Sequence, residues 1–131
     1  MKNPIVHFEI PADNVERAAK FYKGTFGWEI TKFEMPGHDY WIVQTTDVGK
    51  DMKPTSPGIN GGLMKRQNPG QPFMNYISVE SVDEMLKTIG ANGGKICLPK
   101  QEIGQGMGWI AAFQDTEGNL MGLHEEVKKK K

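Results

Sequence analysis

Only one cysteine, Cys97, occurs in the 131 residues. One thiol excludes an internal disulfide, and a reducing cytoplasm is the expected compartment. No histidine stands near it in "GGKICLP", so it reads as a small packing residue rather than a nucleophile. Long apolar runs are missing as well, which excludes a membrane-spanning helix. The opening "MKNPIVHFEI" has no leader-like apolar stretch. Charge of one sign is not in excess: 16 basic residues balance 16 acidic ones. A chain without net charge sets up no global field for nucleic acid or anionic lipid, and neither is expected as a partner. The one basic run, "VKKKK" at the end, reads as a solvated tail. Histidines number only three, so a site built on imidazole has few candidates.

What is present is a chain written twice. The first half holds "VHFEIPADNVERAAKFYKGTFGWEI" and the second "MNYISVESVDEMLKTIGANGGKI". Each reads as a strand, a capped helix, a glycine-containing break and another strand. Asp13 with Glu16, and Ser81 with Glu84, have capping-box spacing. Val15, Ala18, Ala19 and Tyr22 correspond to Val82, Met85, Leu86 and Ile89, at the spacing of one helix face. Gly24 and Gly27 are expected to stop the first helix, and Gly90 with "NGG" the second. Further strands follow: "DYWIVQTT" and "INGGLMK" in the first half, "GWIAAFQD" and "NLMGLHEE" in the second. The stretch "RQNPGQP" sits where a linker should be.

The fold class expected is therefore α+β: one domain over residues 1–131, made of two βαβββ modules at about 4–66 and about 72–127. A module with one helix covers only one face of its sheet. Two modules side by side would curve into a cupped, barrel-like mixed sheet with the helices outside. Trp28 in "FGWEI" is expected in the core. Trp41 and Trp109 open equivalent strands and would either wall the cavity or fill it.

The stretches "VHFEIPADNVERAAKFYKGTFGWEI", "INGGLM", "ISVESVDEMLKTIGANGGKI" and "FQDTEGNLMGLHE" resemble the glyoxalase/bleomycin resistance/dioxygenase superfamily, the vicinal oxygen chelate fold. The resemblance runs from Ile5 to Glu126. It implies paired βαβββ modules, often a divalent metal in the cup, and usually a homodimer. Activities in the superfamily include isomerising lyases, ring-cleaving dioxygenases, epimerases and drug-sequestering proteins.

Carried over position by position, the resemblance implies four metal ligands. His7 fills the first. The second falls on Met74, beside Asn75, and the last-strand carboxylate position falls on Gly122. The remaining one lies in "INGGLM", which has neither histidine nor carboxylate. A catalytic divalent ion needs three or more hard or borderline ligands, and a thioether is too soft for magnesium, manganese or iron(II). No metal and no other cofactor is thus expected, with His7 the only retained ligand position and a divalent metal the alternative left open. Strand parity sets Glu9 on the face of His7, and His124 on that of Gly122. His7, Glu9, Trp41, Met64, Met74, Trp109 and His124 are the candidate ligand-binding residues. No catalytic residue is assigned. The reading is a small-molecule binding protein, probed against the alternative of a glyoxalase-like lyase or isomerase, or a dioxygenase-related enzyme, acting on a small oxygenated substrate. An accessory domain without chemistry stays open.

Overall fold

The computed structural model describes residues 2–35 and 37–128. The end of the basic tail, Lys129–Lys131, lies outside the described residues. In chain order the elements are β1 (Ile5–Ala12), α1 (Val15–Phe26), β2 (Glu29–Met35), β3 (His38–Gln44), β4 (Gly61–Lys65), β5 (Met74–Ser78), α2 (Val82–Ala91), β6 (Lys95–Glu102), β7 (Trp109–Gln114) and β8 (Leu120–Glu125). Among the described residues no helix is long and apolar enough to cross a membrane. The βαβββ order occurs twice, as the repeat demands. Contacts divide the chain into two compact units: His7–Phe73, and the chain from Met74 onward with the residues before His7. Those N-terminal residues join the second unit where the Ser78 N–H donates to the Pro4 carbonyl at 2.9 Å.

In the first unit the strands lie in the order β2-β3-β4-β1. β2 pairs antiparallel with β3, β3 antiparallel with β4, and β4 parallel with β1. The parallel pair needs a long crossover, and α1 is its first part. Helix α1 starts one residue later than the capping-box spacing predicts. Its N-cap is Asn14, whose side chain accepts from Arg17 N at 3.0 Å. Asp13 instead accepts from Arg66 Nε at 3.1 Å. Gly27 ends the helix in the left-handed region at φ 71°, with its N–H on the Lys23 carbonyl. Gly24 is helical and stops nothing. The apolar face of α1 closes over Phe8, Ala12, Ile30, Val43 and Leu63, with Trp28 and Trp41 packed at the margin. Trp28 stacks on Tyr22 with ring centres 4.9 Å apart, the core placement expected of it.

The second unit repeats the plan as β5-β8-β7-β6, with β5 and β8 parallel and the other pairs antiparallel. Ser81 caps α2 as the spacing predicts, accepting from Glu84 N at 3.2 Å. Glu125 adds a second acceptor there, taking Val82 N at 2.8 Å. Two of the four orphan N–H groups of the first turn are thereby satisfied. Gly90 lies inside α2. Val82, Met85, Leu86 and Ile89 meet Val79, Ala111, Leu123, Trp109 and Phe113. The "DTEGN" turn before β8 is closed by Asp115, which accepts from Glu117 N at 2.8 Å and Asn119 N at 2.9 Å. Bonds from the Asn119 backbone first, then from its side chain and from Glu117, hold the Asp115 carboxyl below the ordinary value of 3.8.

Candidate functional site

Alternation along β1 sends Phe8 and Ala12 into the core under α1 and His7 and Glu9 to the other face of the sheet. Register then decides what meets them. Glu9 lies opposite Gly62 in β4, and Pro11 opposite Met64. Ile42 of β3 also pairs with Gly62. Tyr40, two residues earlier on β3, shares that face and lays its ring across β4.

The hydroxyl of Tyr40 joins the two β1 side chains. It donates to Glu9 Oε2 at 3.0 Å and lies 2.8 Å from His7 Nε2. A phenol carries one proton. With that proton on Glu9, the phenol oxygen can only accept from the imidazole, so His7 Nε2 carries a hydrogen. The result is a directed chain from His7 through Tyr40 to Glu9, set in a partly buried position.

The "GG" of "INGGLM" is what admits this arrangement. A methyl on Gly61 would strike the Phe8 backbone and ring, and one on Gly62 would land on the Tyr40 hydroxyl. One glycine makes room on the helix side and its neighbour makes room on the opposite side. A glycine inside a strand is the sequence mark of such a close approach. That signal was available in "INGGLM", yet it did not name Tyr40 as the group that approaches.

The second unit has a related feature. Tyr76 pairs directly with Gly122, and a methyl on Gly122 would meet the Tyr76 ring. His124 follows on the same face of β8, and its Nε2 lies 2.9 Å from the Met107 carbonyl. Met74 shares the face of Tyr76 on β5. The loop that carries Met107 is a tight turn, with Gly104, Gln105, Gly106 and Gly108 all in the left-handed region.

The seven candidates thus divide. His7 and Glu9 come together through Tyr40, and Met64 stands on their face of the first unit. Met74 and His124 belong to the second unit. Trp41 and Trp109 lie on the opposite, helix-facing side of their strands. Trp41 lies opposite Leu63 and packs against the core under α1. Trp109 packs against the core under α2. Each carries a lysine over its ring, Lys32 at 5.7 Å and Lys100 at 4.9 Å. Nor are their strand positions equivalent: Trp41 is mid-strand, whereas Trp109 opens β7.

The superfamily's divalent ion does not fit these residues. Nε2 of His7 is engaged by Tyr40. Within "INGGLM" the space over Gly62 is taken by the end of the Tyr40 side chain, and the space over Gly122 is taken by the Tyr76 ring. Among the described residues no three of His, Cys, Asp and Glu gather as a metal would require.

Comparison with known proteins gives the same family as the motifs. Residues 4–46 match the family described as bleomycin resistance protein-like N-terminal. A glyoxylase-like domain-containing protein of Didymella fabae is 34% identical over 118 residues, 88% of each chain. A putative glyoxylase, CFP32, of Mycobacterium bovis is 29% identical over 110 residues, which are 81% of this chain and 39% of that longer protein. In fold, a methylmalonyl-CoA epimerase of Streptomyces coelicolor in complex with 2-nitronate-propionyl-CoA superposes with a TM-score of 0.71 at 15% identity, over 100% of this chain and 99% of the other. The paired βαβββ modules, the matched motifs and the relative matched over 88% of both chains together make this chain a member of the glyoxalase/bleomycin resistance/dioxygenase superfamily, the vicinal oxygen chelate fold.

Proposed function

We propose that this chain binds a small organic molecule, without a resident metal, on the face of its first unit that carries His7, Glu9 and Tyr40. The observation that supports this most is the hydrogen-bonded set itself, with distances of 2.8 and 3.0 Å. It holds an imidazole and a carboxylate in fixed orientation on the sheet face that also carries Met64. Fixed polar groups next to a deformable apolar side chain suit a ligand with one oxygenated end and one apolar end. A cytoplasmic homodimer is the assembly and compartment this reading takes. The test is a thermal-shift screen of oxygenated metabolites, including acyl-CoA thioesters, in the presence of a chelator. A true ligand at 100 times its Kd adds about 2.7 kcal/mol of stability. Tyr40→Phe and His7→Ala should each weaken it at least tenfold. A ligand that stabilises both variants as well as the wild type would remove the site from this face.

The directed chain favours one second reading, a glyoxalase-like lyase or isomerase. Three groups joined by two hydrogen bonds can move a proton between imidazole and carboxylate, which is the work of general acid–base catalysis. Deuterium uptake from solvent into a bound carbonyl compound, lost in Glu9→Gln, would promote this reading over simple binding.

A further inference from the structure

In the superfamily the first-strand histidine is a metal-ligand position, and here it is His7. A metal takes the lone pair of an imidazole nitrogen. Nε2 of His7 has no lone pair to give, because the Tyr40 oxygen accepts its hydrogen while passing its own proton to Glu9. We infer that Tyr40 is a built-in positioning group: its hydroxyl occupies the space a cation would need beside His7, ties His7 to Glu9, and fixes His7 as the Nε2–H tautomer. The inference goes beyond the proposed function, and it stands whether or not an organic ligand binds.

Gly62 completes the device. The atoms that a Gly62 methyl would strike are the hydroxyl, Cζ and Cε1 of the Tyr40 side chain, not backbone. The chain can accommodate the methyl by swinging that ring aside. Gly62→Ala therefore keeps the hydroxyl but displaces it, whereas Tyr40→Phe keeps the ring in place and deletes the hydroxyl. Two different substitutions should free His7 in the same way. A glycine kept only for backbone freedom would not behave so, since Gly62 is not at positive φ.

The experiment reads the imidazole nitrogens of His7 directly, in the full-length, isotopically labelled chain. Long-range proton–nitrogen spectra distinguish the two tautomers, and His7→Ala identifies the signals. In the wild type the protonated nitrogen should be Nε2. In Tyr40→Phe and in Gly62→Ala the two ring nitrogens should move toward each other as the tautomers mix. The inference is overturned if wild-type His7 is bare at Nε2. Folded Tyr40→Phe protein with unmoved His7 signals would remove the role of the hydroxyl. Should Gly62→Ala not fold, Tyr40→Phe alone decides the question.

Discussion

The two units share one plan and differ in what they do with it. Each has a glycine in its last strand, Gly62 or Gly122, and each glycine admits a tyrosine. In the first unit Tyr40 arrives from β3 and reaches across β4 to β1, where its hydroxyl finds His7 and Glu9. In the second, Tyr76 stands on β5 itself, directly opposite Gly122, and is buried to 7% exposure. The first tyrosine meets His7 and Glu9 with its tip; the second sets its ring against the glycine it pairs with. The same backbone opening therefore admits a ring from across the strand in one unit and from the paired strand in the other.

The comparison can be broken at its base. Leu63 and Leu123 follow the two glycines, and are 0% and 1% exposed. Truncating either to alanine should cost about 2–5 kcal/mol in denaturant unfolding. A cost below about 1 kcal/mol at one of them would show that its unit does not depend on the shared core position.

A finer test sets the glycines against each other. Gly122→Ala drives a methyl into the ring of a buried tyrosine and should cost about 1–3 kcal/mol, as overpacking does. Gly62→Ala meets the hydroxyl, Cζ and Cε1 of a half-buried tyrosine whose ring can swing aside, and should fall at or below the low end, about 1 kcal/mol. Equal costs at the two sites would mean that Tyr40 is held as rigidly as Tyr76, and the contrast between the units would go.

The smallest effect concerns the turn before β8, which has no counterpart in the loop before β4. The folded Asp115 carboxyl lies below its unfolded value of 3.8. Its contribution to stability is therefore complete above that value and is lost as pH falls through it toward the folded value. Asp115→Asn should be less stable than the wild type near neutrality, with the gap closing in acid. A gap that stays constant from neutral pH down to acid would assign the turn's stability to something other than this carboxylate.

Much of this was legible in the residues. The doubled βαβββ order came from helix-face spacing and the strand alternation, because burial of one helix face leaves a periodic trace. The Ser81 cap was read correctly, while the first cap slipped from Asp13 to Asn14 because adjacent acceptors compete and Arg66 claims Asp13. Glu9 was set on the face of His7 by parity alone. Trp41 and Trp109 were left between walling a cavity and filling it, since an aromatic gives no parity until its strand's register is known; both pack against the cores under the helices. Tyr40 stayed outside the candidate set for a related reason: it lies 33 residues from His7.

The sequence by itself determined the repeat, the element order and the helix faces. These are local or periodic properties, and each residue type carries them wherever it sits. Only the tertiary structure decided that Gly62 lies beneath Tyr40, and that one phenol bridges His7 and Glu9. Strand pairing sets such contacts, and a strand's neighbours across the sheet are chosen by register rather than by nearness along the chain.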